Sequence, residues 1–213
     1  MSEQKLGKIA VIGGTGKAGC PLVKQILKRG YSIRMLVRNP EKVTVKDENV
    51  EIIKGDARNL ESIQALLEGC DAVLSTLGQP KGESPIFSTA TSHVLNTMKE
   101  KEIKRYILVT GMGINVPGDK KGFKDKLMSK IMKMMFPAII LDKQKEYEIL
   151  SKSNLDWTLV RLPLIVEEPS TGNIKIHNEH VPGKKISSED LADFLTNQIT
   201  ATGNIRKTPF IAN

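Results

Sequence analysis

Lys8-Ile9-Ala10-Val11-Ile12-Gly13-Gly14-Thr15-Gly16-Lys17-Ala18-Gly19 is the stretch that decides the fold. A short apolar run ending in glycines is what a parallel strand buried on both faces looks like. Directly after it, Ala18, Leu22, Val23, Ile26 and Leu27 fall at helical spacing over residues 17–29, and Gly30 supplies the stop. Strand, glycine loop and helix in that order separate a dinucleotide fingerprint from a chance glycine cluster. In this reading Gly13 permits the tight turn, Gly16 lets the backbone approach a pyrophosphate, and Gly19 lets the helix pack close to the sheet. The diphosphate would sit at the positive end of the helix, where unpaired N–H groups point outward.

Outward from that unit, strand and helix signals alternate in the rhythm of βαβ units. Residues 33–37 and 50–54 read as strands, 60–67 as a helix with Asn59 as N-cap and Gly69 as its stop, and 71–76 as a strand. Residues 86–101 read as a helix and 105–110 as the fifth strand. The rhythm then breaks into a glycine-rich loop over 111–122, a length that in a compact domain is usually functional or mobile. A basic, Met-rich helix is expected over 123–136, further helix over 143–151, and a sixth strand over 157–162. A short strand at 174–176, a helix at 188–199 capped by Ser187 or Ser188, and a last strand near 209–211 complete the chain. The expected fold is α/β: a Rossmann-type doubly wound parallel sheet with a small C-terminal substrate-side region. With no internal repeat or linker, residues 1–213 are expected to form a single domain.

The end of the second strand discriminates between cofactors. A site that prefers NAD(H) usually offers a carboxylate there to the ribose 2′-hydroxyl. Here the strand runs into Arg38-Asn39-Pro40-Glu41-Lys42, and a guanidinium at that point suits a 2′-phosphate, with Lys42 adding charge. NADP(H) is therefore expected over NAD(H). Asp56, beside Ala57, follows the third strand and either approaches the adenine or is an ordinary turn aspartate. Thr76, Leu77 and Gly78 follow the fourth strand on the nicotinamide side of the same crevice.

Net charge of +8 suits a polyanionic partner, and a phosphorylated dinucleotide, a nucleic acid or an acidic lipid surface would each qualify. The lysines are spread along the chain apart from a concentration over 120–145, and rings make up only 4% of residues. With so few aromatic side chains to stack bases, nucleic acid is not expected as a partner. No apolar run is long enough for a membrane span, and the polar start Met1-Ser2-Glu3-Gln4-Lys5-Leu6-Gly7 lacks a secretory signal's apolar region. Cys20 and Cys70 show no metal-type spacing and are expected as free thiols, which points to a cytoplasmic setting. His177 and His180 are close in sequence but gain no third ligand, so no metal is expected.

An ordered set of motifs resembles one family over most of the chain. It comprises Gly-Gly-Thr-Gly-Lys-Ala-Gly at 13–19, Leu-Val-Arg at 36–38, Gly55-Asp56, and Thr76-Leu77-Gly78 followed by Ser84-Pro85. Val109-Thr110 and Leu-Asp-Trp-Thr-Leu-Val-Arg at 155–161 complete it. The chain is similar to the atypical short-chain dehydrogenases/reductases of the NmrA-like, NAD(P)H-binding group, and within it to the flavin reductase (biliverdin-IXβ reductase) branch. That resemblance implies an extended cofactor and flat conjugated substrates such as flavins, tetrapyrroles or quinones. It implies that Gly13, Thr15, Gly16, Lys17 and Gly19 hold the pyrophosphate, and that Arg38 and Lys42 take the 2′-phosphate. Asp56 and Ala57 would lie at the adenine, and Thr76, Leu77, Gly78 and Thr110 toward the nicotinamide.

Departures from the family pattern bear on catalysis. The serine expected after Thr110 is Gly111, and a histidine of the substrate pocket is replaced by Leu164. The Tyr-x-x-x-Lys pair has no counterpart: Ser151 stands where Tyr147 would need its lysine, and Lys143 precedes the tyrosine. Thr110, Gly111 and Lys143 are left as weak catalytic candidates, with Met112 and Leu164 on the substrate side. Ketone reduction needs a positioned acid, whereas hydride transfer to a flavin or quinone needs mainly stacking and orientation. The expected function is an NADP(H)-binding reductase of a flat conjugated acceptor, and the alternative is a non-catalytic NADP(H)-binding sensor acting through a protein partner. The helix over 123–136 reads as a packed amphipathic helix, a pocket lid or a membrane-surface element. Arg161 and Pro163 fit either a substrate-side or a structural role.

Overall fold

A computed structural model describes residues 7–120 and 122–213, and of Lys124 the backbone alone. The polar segment Met1–Leu6 and the side chains of Lys121 and Lys124, both counted in the basic stretch, lie outside the described residues. The first half runs β1 (Lys8–Ile12), α1 (Gly19–Lys28), β2 (Ser32–Val37), β3 (Val50–Lys54), α2 (Leu60–Leu66), β4 (Ala72–Ser75), α3 (Phe87–Glu100) and β5 (Arg105–Gly111). The second half runs α4 (Phe123–Met135), α5 (Pro137–Ser151), β6 (Asp156–Leu162), β7 (Leu164–Val166), β8 (Lys175–His177), β9 (Lys185–Ser187), α6 (Ser188–Asn197) and β10 (Phe210–Ala212).

Eight strands form one sheet in the order β3-β2-β1-β4-β5-β6-β10-β8, parallel except where β8 runs antiparallel to β10. This is the Rossmann-type α/β architecture expected from the sequence. The order reverses between β1 and β4, which opens a crevice beyond the carboxyl ends of those strands. Alternation along β1 divides the core. Ile9 and Val11 pack with Leu22, Val23 and Ile26 of α1 and Leu191, Phe194 and Leu195 of α6. Ala10 and Ile12 face the other way, into Ile63 and Leu66 of α2, Val94 and Met98 of α3, and Leu150 of α5. Each large apolar side chain so buried contributes about 1.5–3 kcal/mol relative to exposure, and both faces of the sheet are thereby closed.

Local chemistry explains the element ends. Asn59 caps α2 by accepting from the Ser62 N–H at 2.8 Å, and Ser187 caps α6 by accepting from the N–H groups of Glu189 and Asp190. Two features differ from expectation. α5 begins at Pro137, six residues before the predicted start, because a proline at the first helical position gives up no bond. β7 and β9 were not anticipated; they pair in parallel as a separate two-stranded sheet.

Arg161 is fully buried and structural. Its Nε donates to the Thr208 carbonyl at 2.7 Å, Nη1 to Asp119 Oδ1 at 2.6 Å and Nη2 to the Asn178 carbonyl at 2.8 Å. Its guanidinium also lies 3.5 Å from the centre of the Phe210 ring, so one side chain ties the loop after β5 to the C-terminal strands.

Candidate dinucleotide and substrate site

The glycine loop is shaped by close approach. Gly13 has φ +81°, and a Cβ there would fall 2.7 Å from the Thr76 carbonyl group. At Gly19 a Cβ would fall 2.0 Å from the Gly13 oxygen, so α1 can meet the loop only with glycine at that point. Gly16 is different: beyond the Gly13 oxygen at 3.4 Å its side is open, facing the crevice. The loop is closed by Gly16 N–H donating to the Gly13 carbonyl at 3.1 Å, and Thr76 Oγ1 donates to the same carbonyl at 3.2 Å. The first turn of α1 has neither a side-chain cap nor an acidic residue, and although the Cys20 N–H donates to the Gly16 carbonyl at 2.9 Å and Pro21 has no N–H, the positive end of the helix stays open to an anion.

A cavity of about 510 Å³ opens over this loop. Gly13, Thr15, Gly16, Lys17, Arg38, Lys42, Asp56, Ala57, Thr76, Leu77 and Gly78 line it, so most residues singled out in the sequence meet in one place. Gly19 stands behind the loop. Asn39, Gln79, Pro80, Ile86 and Ile165 also line the cavity and were not anticipated. Asn39 adjoins Arg38 and was within reach of the motif; the others sit on loops or on β7, where no periodic pattern marks them.

The β2 and β3 ends hold an alternating set of charges. Arg38 Nη1 donates to Glu83 Oε1 at 2.8 Å and lies 4.0 Å from Asp56 Oδ2. Arg58 Nη1 reaches Glu83 Oε2 at 2.9 Å and Asp56 Oδ2 at 3.4 Å, while its Nη2 donates to the Ser84 carbonyl at 3.0 Å. Asp56 Oδ1 accepts from the Arg58 N–H at 2.9 Å, an Asx turn that orients the carboxylate. Hydrogen bonding to Glu83 holds the Arg38 guanidinium above its ordinary pKa against the opposing effect of burial. Glu83 and Arg58 were missed in the sequence.

The catalytic and substrate candidates are not brought into this cavity. Thr110 is buried, and its Oγ1 has no hydrogen-bond partner among the described residues. Gly111 is exposed, with open space where a side chain would project. Met112 lies in the turn that follows. Lys143 Nζ sits 3.6 Å over the Phe87 ring, its pKa lowered by burial although Glu146 and Asp142 oppose the shift. Leu164 is 68% exposed, and its neighbour Ile165 is the one that lines the cavity. Tyr147 packs against the second core cluster.

The remaining polar features are structural. Glu146 is buried, accepts from Thr91 Oγ1 at 3.0 Å, and is held above its ordinary pKa by burial. His177 Nδ1 accepts from the backbone of Glu179 at 3.1 Å and of His180 at 3.2 Å. Among the described residues no cluster of metal-ligating side chains occurs, and no helix is long and apolar enough to cross a membrane. Cys20 and Cys70 are both free, and burial pushes the Cys70 thiol up to about 11.

Comparison with known proteins falls on the same region. A family model described as NAD(P)H-binding matches residues 13–202. The chain is 25% identical over 218 residues to protein TIC 62, chloroplastic, of Arabidopsis thaliana, covering 88% of this chain and 32% of that protein. It is 37% identical over 183 residues to photosystem II assembly factor Ycf39 of Trieres chinensis, covering 76% of this chain and 53% of that one. The chain thus spans about a third and about half of the length of these relatives. Among solved structures, a short-chain dehydrogenase/reductase of Veillonella parvula in complex with NADP superposes with a TM-score of 0.76 at 17% identity, covering 97% of this chain and 94% of that one. At that identity the likeness is one of fold.

Proposed function

The chain belongs to the NAD(P)H-binding family, and on that premise we propose that it is an NADP(H)-dependent reductase of a flat conjugated acceptor such as a flavin or quinone. The observation that carries this reading is Arg38 at the end of β2, lining the cavity together with Lys42 where an NAD(H) site would offer a carboxylate. Gly13, Thr15, Gly16, Lys17 and the uncapped turn of α1 would hold the pyrophosphate, with Gly19 supporting the loop from behind. Asp56 and Ala57 would border the adenine. Thr76, Leu77 and Gly78 would border the nicotinamide ribose. Bound there, the dinucleotide would supply a hydride.

The chain's own contribution is placement. Leu77, Ile86 and Ile165 give the cavity apolar walls against which a planar ring can stack, and stacking with orientation can supply a large part of a rate enhancement. Thr110 and Lys143 lie outside the cavity lining and Gly111 has no side chain, which disfavours ketone reduction and leaves acceptors that need no protein acid. The free thiols suit a cytoplasmic setting.

A second reading, a dinucleotide sensor without turnover, is favoured by the same lack of an acid and by the name of one relative as an assembly factor. Calorimetric titration with NADPH and NADH, followed by NADPH oxidation with FMN, separates the two. Tighter NADPH binding with FMN-dependent, saturable oxidation supports the reductase. Tight binding without oxidation supports the sensor, and binding of neither nucleotide overturns both.

A further inference from the structure

α4 is built the wrong way round for a helix that merely packs on its own protein. Such a helix turns apolar side chains inward. Here the buried side chain is Ser129, whose Oγ has no partner among the described residues. Outward stand Phe123 at 82% exposure, Met134 at 78%, Met135 at 61% and Leu127 at 50%. Phe123, Leu127 and Met134 share one face by their spacing of four and seven. Lys126, Lys130 and Lys133 form a second exposed row beside it, again spaced by four and three, and none has an ion-pair partner among the described residues.

We propose that α4 is a membrane-surface helix that seats this protein on an anionic lipid bilayer. An apolar row flanked by a lysine row is the layout that lets a helix lie in the interface, its rings and thioethers entering roughly 5–10 Å while the ammonium groups stay with the phosphates. The lysine row selects the occupant. Three adjacent cations on one helix edge meet their complement in a plane of many negative charges, and the chain's net charge of +8 acts in the same direction. A second copy of this chain would present the same three lysines rather than a complementary acidic row, which opposes self-association through this face. The patch is independent of the dinucleotide cavity, so the proposal stands or falls apart from the reductase reading.

Flotation of the purified protein with phosphatidylcholine vesicles, with and without phosphatidylglycerol, tests it. The protein is expected to float with the anionic vesicles only, and to be released by high salt. The triple substitution Lys126→Glu, Lys130→Glu, Lys133→Glu should weaken partitioning on the order of a hundredfold, and Phe123→Ser with Met134→Ser should weaken it independently. Thermal melting verifies that both variants are folded. The proposal is overturned if anionic vesicles fail to float the wild type, if neutral vesicles float it equally, or if the triple lysine variant floats undiminished. A dimer seen by light scattering and abolished by Phe123→Ser would assign the face to a second copy instead, and would equally overturn it.

Discussion

The Arg38 guanidinium donates to the Glu83 carboxylate at 2.8 Å, so the cation best placed for a 2′-phosphate is already held by an anion of the same chain. Glu83 binds Arg58 with its other oxygen at 2.9 Å, so two arginines converge on one carboxylate at the rim of the cavity. An incoming phosphate would compete with that carboxylate.

The competition sets the first expected outcome. Arg38→Ala should weaken NADPH binding by about ten- to a hundredfold, the range for a charged hydrogen-bonded contact, and leave NADH binding little changed. Glu83→Gln should strengthen NADPH binding, but only up to about fivefold, because both side chains are partly exposed and the ion pair is screened. Titration calorimetry of the two variants measures both. Unchanged NADPH affinity in Arg38→Ala would remove the 2′-phosphate role.

Two glycines of one loop should separate stability from binding. Gly19→Ala places a Cβ 2.0 Å from a backbone oxygen and should cost about 1–3 kcal/mol of stability, read as a lower melting temperature. Gly16→Ala meets only one atom at 3.4 Å and should melt close to the wild type while binding NADPH at least tenfold more weakly. Equal melting of the two variants would refute the packing role given to Gly19.

Asp190 carries a pH dependence with a definite sign. Burial raises its pKa, but donors from Ser170, Thr171 and Gly172 outweigh burial and hold it below the ordinary 3.8. The folded state therefore binds fewer protons than the unfolded chain as this group titrates. Its stabilisation is fully present above the unfolded value and is lost as pH falls through the folded one. Asp190→Asn should cost about 2 kcal/mol at pH 7, with the gap to the wild type narrowing below about pH 3.8. Urea unfolding across that range checks it, and a gap that widens on acidification would contradict it.

Arg161→Met removes the group that binds Thr208, Asp119 and Asn178 together. The expected loss is about 3–5 kcal/mol, because Asp119 would lose its buried ion-pair partner. Denaturant unfolding measures this. A loss below 1 kcal/mol would show that the loop after β5 does not depend on that anchor.

What could be read in advance follows the burial of each segment. Lys8–Ile12 and α1 were legible because both faces of the strand and one face of the helix are committed to core, and glycines mark the joint. The residues of the cavity that follow strand ends were legible for the same reason, since the topology sends those ends to one crevice. Glu83 was not, because it reaches Arg38 from a loop whose path is set by Gln79 donating to the Glu83 carbonyl, a contact that no period announces. β7 and β9 escaped for a different reason. Each is three residues long, and each is a strand only because Leu164 pairs with Lys185, far along the chain. Pro137 opens α5, and the six residues from it to Asp142 were not read as helix.

Gly111, exposed at the end of β5 with nothing within 4 Å of where a side chain would begin, makes the missing hydroxyl a matter of one codon. The scaffold there would accept Gly111→Ser without repacking, so gain of a hydrogen-bonding group at the carboxyl end of β5 is structurally cheap, although the position does not line the cavity. Selection, or the laboratory, could therefore add a polar group at the end of β5 with one substitution and without disturbing the sheet.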